Sequence, residues 1–149
     1  MDAETQIEGF IAKFTEEMAA DIRAARAEMR RRLPGAFELV YDNYNALAIG
    51  YGPNEKTGQA VFSLACFPKR VSLCFVRGAA LEDPKRVLSG DGNQVRFLAL
   101  TPLSILDEPD VSALWDQALA NAAAPIDAAG TGLTIVKSIS AKQRPRRPA

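Results

Sequence analysis

The chain has 149 residues, 18 basic and 18 acidic side chains, 48% hydrophobic residues, two cysteines and no histidine. That length and composition fit one ordinary globular domain. The missing histidine excludes Ser–His and Cys–His nucleophiles, imidazole metal ligands and the usual proton carrier near neutral pH, and two thiols are too few for a disulfide framework or a four-cysteine zinc site.

In chain order, the start Met1-Asp2-Ala3-Glu4-Thr5 is acidic and polar and carries no secretory pattern. With no apolar run of membrane-spanning length, the expectation is a cytoplasmic protein that makes no membrane contact. Ile7, Phe10, Ile11 and Phe14 recur at helical spacing and predict a helix from about Glu4 to Phe14. Thr15 then reads as an N-cap, with Glu16 and Glu17 in the first turn of a second helix. Its apolar stripe is Met18, Ile22, Ala25, Met29 and Leu33; Arg30, Arg31 and Arg32 close it and Pro34-Gly35 stops it. The three arginines are ordinary last-turn cations, or else an anion site.

The period then changes. Phe37–Tyr41 and Ala46–Tyr51 read as strands, with Asp42-Asn43 a kink or turn between them. A loop follows from Gly52 to Gly58, and Gln59–Cys66 with Arg70–Val76 forms a hairpin around Pro68-Lys69. A two-residue loop there pairs Cys66 with Val71 and Leu64 with Leu73. One face is then wholly apolar, and Cys66 and Cys74 fall on opposite faces. Asp83-Pro84 predicts a short helical turn ended by Gly90, and Gln94–Leu100 another strand. A helix starts near Asp110, with Val111, Leu114, Trp115, Ala118 and Leu119 on one side, and Gly130-Thr131-Gly132 leads into a last strand, Leu133–Ile139. N-terminal and C-terminal helices on one mostly antiparallel sheet make a two-layer α+β domain spanning residues 1–140. The remaining residues, 141–149, form a basic, proline-rich tail expected to be mobile. Four cations lie in it (Lys142, Arg144, Arg146 and Arg147), leaving 14 basic against 18 acidic residues in the body. They are candidates for weak nucleic-acid contact.

No spacing fixes a reaction, and no cofactor is expected. Gly90-Asp91-Gly92 is too short for a dinucleotide fingerprint. Strand arginines among apolar residues need a partner. Arg77 and Arg96 therefore stand out, either clamped by Asp83 or Asp91 or grouped with Asp83 to bind a carboxylate or phosphate. Tyr41, Tyr44 and Tyr51, with Asp42 and Asn43, form a second candidate group, able to line a ligand groove or simply to leave their hydroxyls in water. The acids Glu4/Glu8 and Glu17/Asp21 each share a helix face.

The run Phe75-Val76-Arg77-Gly78-Ala79-Ala80-Leu81-Glu82-Asp83-Pro84, followed by Leu88-Ser89-Gly90-Asp91-Gly92-Asn93-Gln94-Val95-Arg96, resembles the YdhG-like domain family. Its pattern is roughly F-x-R-G-A-x-L-x-D-P, then L-x-G-x-G-x-x-V-R. Glu38–Asn45 and Ile135–Arg147 are similar to one branch of it; Glu82 departs, since the family often has proline there. The resemblance implies helices on one antiparallel sheet, frataxin-like in outline, and a domain of largely unknown function. Some relatives are described as iron chaperones that use carboxylates. By fold analogy alone, such a role falls to Glu4, Glu8, Glu17 and Asp21. The expectation is thus a non-enzymatic domain binding a small anionic ligand or a protein partner at the sheet edge, with a carboxylate iron chaperone as the alternative.

Overall fold

The computed structural model describes residues 1–148. Helices α1 (Ala3–Ile11) and α2 (Glu16–Arg32) open the chain, α3 (Pro109–Ala120) comes late, and strands β1 (Phe37–Asp42), β2 (Leu47–Gly52), β3 (Phe62–Phe67), β4 (Arg70–Phe75), β5 (Arg96–Ala99) and β6 (Thr134–Ile139) form one sheet. The strand order is β5-β4-β3-β2-β1-β6. Every pairing is antiparallel except β1 with β6, which is parallel and carries an irregularity between Val40 and Tyr41. The architecture is α+β, as expected.

Local chemistry accounts for the helix ends. The Asp2 carboxylate accepts from the Thr5 amide at 2.8 Å, and the Thr15 hydroxyl accepts from the Met18 amide at 3.2 Å, satisfying N-terminal donors that have no intrahelical partner. The hairpin takes the expected register, with Cys66 opposite Val71, Leu64 opposite Leu73 and Phe67 opposite Arg70. Its apolar face (Phe62, Leu64, Cys66, Val71, Leu73 and Phe75) joins Val40 and Ile49 of the neighbouring strands in the core. Against this face lie Ile7 and Ile11 of α1, Ile22 and Met29 of α2 and Leu114 of α3. Trp115 stacks on Phe62 at 4.0 Å between ring centroids, and Phe62 meets Phe75 edge-on at 5.4 Å.

The opposite face is partly roofed by the β2–β3 loop. The Tyr41 hydroxyl meets Thr57 Oγ1 at 2.7 Å, and Lys137 donates to the Glu55 carbonyl at 3.2 Å. Gly35, at φ 81, is required where the α2–β1 corner passes the chain before β6: a Cβ there would lie 1.8 Å from the Asp127 carbonyl oxygen.

Two expectations are corrected. Asp83-Pro84 starts no helix. Its carboxylate accepts from the amides of Val87 at 2.9 Å and Leu88 at 3.0 Å, Arg86 sits at φ 51, and buried Leu88 joins the core. Side-chain capping of these amides replaces helical hydrogen bonding. Nor is the tail loose over its described residues. Gln143 donates to the Asp42 and Ser140 carbonyls, the Arg144 amide donates to the Tyr44 carbonyl at 2.9 Å, and the Arg146 side chain is buried against Asp42 at 2.9 Å. Composition favours a mobile end, but a buried carboxylate on β1 recruits this arginine.

Candidate functional site

Between the end of β4, the chain that follows it and α3 lies a cleft of about 330 Å³. Phe75 and Val61 come from the sheet side, Ala80 and Leu81 from the 3₁₀ turn after β4, Ala118 from α3 and Ala122 from just beyond its C-terminal end. The walls are therefore mostly aliphatic or aromatic. Gln59, Arg77 and Asn121 supply the polar part of the lining. Size and lining are those of a small-molecule site.

The geometry of the walls follows from a few residues. Gly78 begins the turn after β4, and a Cβ there would meet Arg96 Cβ at 2.5 Å, so only glycine lets the turn lie against β5. On the far side, the Gln117 carboxamide accepts from the Glu82 amide at 2.7 Å and donates to the Glu82 carbonyl at 3.2 Å. This paired hydrogen bond ties the Ala80–Leu81 wall to α3 and sets the width of the cleft. Arg77 is exposed and donates from Nη2 to the Gly58 carbonyl at 2.9 Å. It forms no salt bridge among the described residues. An arginine with spare donors thus stands beside an apolar hollow.

The other candidate residues do not line the cleft with it. Arg96 turns back on its own loop, donating from Nη1 to the carbonyls of Gly92 at 2.6 Å and Val95 at 2.9 Å. Asp83 spends its carboxylate on the Val87 and Leu88 amides. Neither the clamp nor a three-residue anion site is formed by Arg77, Asp83 and Arg96. Tyr41, Asp42 and Tyr44 separate as well: strand alternation sends Tyr41 and Asp42 to opposite faces. Asp42 is fully buried with Lys13 at 2.7 Å and Arg146, while exposed Tyr44 lies in the β1–β2 turn beneath Arg144, whose guanidinium carbon is 5.6 Å from the ring centroid.

Two of the four helix acids are engaged by cations. Glu4 meets Arg26 at 2.5 Å and Arg30 at 3.3 Å, and Glu8 meets Arg23 at 2.9 Å. Glu17 and Asp21 line a wide, open depression together with Glu16 and Lys69. Among the described residues, no three Asp, Glu, His or Cys side chains are grouped so as to hold a metal ion.

A buried polar network centred on Glu38 and Arg26 takes up two of the expected residues, Glu4 and Tyr51, in a structural role, whereas its two central residues were not among the expected sites. Glu38, in β1 and facing the helices, accepts from Arg26 twice at 2.9 Å, from the Tyr51 hydroxyl at 2.6 Å and from Thr134 Oγ1 at 2.9 Å. Arg26 also reaches Glu4. Burial and the Glu38 charge push the Tyr51 hydroxyl well above its ordinary value. The signal was present: Arg26 falls four residues after Ile22 on the apolar stripe. Gln117 and Gln59, by contrast, occupy unremarkable polar positions and carry no such mark.

Compared with known families, curated proteins and solved structures, the chain has no match. The site is therefore read from its own chemistry. Burial pushes the Cys66 thiol up to about 12 and raises Cys74 as well, so neither is an activated nucleophile. No helix among the described residues is long and apolar enough to cross a membrane.

Proposed function

We propose that this chain is a non-enzymatic binding domain whose cleft between α3 and the end of β4 holds a small organic anion, with Arg77 on the negative group. The observation that carries this reading is an arginine without an acidic partner among the described residues at an apolar cleft of ligand size. A guanidinium keeps its charge at all physiological pH and is shaped for oxyanions. The anion site expected at Arg77, Asp83 and Arg96 thus contracts to Arg77, with Gln59 and Asn121 beside it. Two unactivated thiols and a chain without histidine support binding rather than turnover. The free thiols are compatible with the reducing cytoplasm, where we place the domain.

The YdhG-like resemblance belongs to the same proposal. Its motif residues Gly78, Asp83, Gly90 and Arg96 shape the connection that follows β4, including the wall of the cleft.

Thermal unfolding across a panel of small organic anions tests the reading. At least one anion should raise the wild-type midpoint, and Arg77→Ala should lose that rise. Arg96→Ala, although less stable, should still respond. An equal response in wild type and Arg77→Ala would refute the assignment.

A further inference from the structure

Resting on that reading, we infer that the ligand is a monocarboxylate bearing an unfunctionalised apolar chain, a medium-chain fatty acid or an aryl-alkanoate of similar size. Three features of the cleft point to this class.

The first is the lining. Val61, Phe75, Leu81, Ala118 and Ala122 offer no side-chain hydrogen-bond partner. Hydroxyl groups of a sugar or polyol would lose water there without replacement, which is costly. An alkyl or aryl body loses nothing.

The second is the charge. Arg77 is the one cationic side chain in the lining, and Nη2 is its only nitrogen that hydrogen-bonds among the described residues. One guanidinium with free N–H groups matches one carboxylate in charge and in fork geometry. A phosphate monoester carries nearly two charges at neutral pH, and the second would stand uncompensated. Gln59 adds a neutral donor: its carbonyl oxygen accepts from Asn54 at 2.7 Å, while its amide nitrogen makes no hydrogen bond among the described residues.

The third is size. At ~30 Å³ of liquid volume per heavy atom, 330 Å³ holds on the order of ten non-hydrogen atoms. Such a ligand fills the cleft with a chain of about eight carbons and leaves its carboxylate at the mouth.

The domain's only tryptophan, Trp115, provides a reporter. It stacks on Phe62, which touches Phe75 on the cleft side. Trp115 fluorescence and calorimetry would follow titrations with the straight-chain series from acetate to decanoate, with octan-1-ol and inorganic phosphate for comparison. Affinity should rise roughly fourfold per methylene, the equivalent of ~0.8 kcal/mol, and level off near octanoate. Arg77→Ala should weaken octanoate about tenfold or more and change octan-1-ol less than about twofold. Ala122→Trp, which fills the cleft, should weaken both; circular dichroism checks that each variant is folded.

Different failures separate the two levels of the proposal. If phosphate or acetate binds as tightly as octanoate and depends on Arg77, the apolar-chain class is overturned while anion binding at Arg77 stands. If octanoate binds equally well to wild type and Arg77→Ala, the guanidinium has no part and both fall. Absence of octanoate binding up to about 10 mM, where even a ligand of ~3 kcal/mol affinity would register, overturns the class.

Discussion

Glu38 and Asp42 stand four residues apart on β1, both on the face turned to the helices and both nearly inaccessible to water. Each recruits an arginine from a distant part of the chain, Arg26 from α2 and Arg146 from beyond β6. A buried carboxylate is tolerated only with such partners, because desolvation otherwise exceeds what the fold can supply. Burial alone would raise the Asp42 carboxyl, but hydrogen bonds from Lys13 and Arg146 outweigh it and hold the group below its ordinary value. Glu4 is lowered too, chiefly by its hydrogen bond to Arg26. Since the folded state then binds these protons more weakly than the unfolded chain, their stabilisation is complete above about pH 5. It drains away as pH falls through about 4 toward the depressed folded values. Replacing Asp42→Asn should cost roughly 3–5 kcal/mol at neutral pH, by leaving Arg146 buried beside a neutral group. It should also flatten the dependence of stability on pH between about 5 and 3. Urea denaturation across that range measures both, and an unchanged slope would show that Asp42 does not govern acid lability.

At the scale of elements, the hairpin was the most legible part. Only one register of Phe62–Phe67 against Arg70–Phe75 keeps an apolar face intact, and that register forms. The starts of the two N-terminal helices were also plain, Thr15 capping the second as its position implies. The first, however, ends at Ile11 rather than at Phe14, and the Asp2 cap was not read from the sequence. The connection from Arg77 to Arg96 was not legible, since a carboxylate before proline can cap a helix or a loop and only the location of Leu88 in the core decides between them. The C-terminal segment misled for a related reason. Charge and proline content describe what a segment does alone, whereas Arg146 and Gln143 bind a site built by β1 and its turn. Arg146→Ala should therefore destabilise the domain by about 3 kcal/mol. Removing residues 141–149 should cost at least as much, and Lys142→Ala should stay within about 0.5 kcal/mol of wild type. Chemical denaturation of the three variants decides it. Equal stabilities throughout would mean that the segment is not held in solution.

For the whole molecule, one continuous core joins all three helices to one sheet face. Trp115 sits where α3 meets that face, so its fluorescence and the far-UV signal of the helices and strands should change in a single coincident urea transition. Two separated midpoints would show instead that α3 leaves the sheet before the rest unfolds. The sequence by itself determined the α+β class, the helix starts, the hairpin register and the separation of the two thiols. Those features follow from periodicity and capping, which act over a few neighbouring residues. Only the tertiary structure decided that Arg77 lines the cleft without Asp83 or Arg96, that Gln117 holds the cleft wall and that Arg146 is buried. Each of these depends on which polar groups the assembled sheet and helices leave without water. Composition and spacing along the chain do not encode that outcome until distant segments meet.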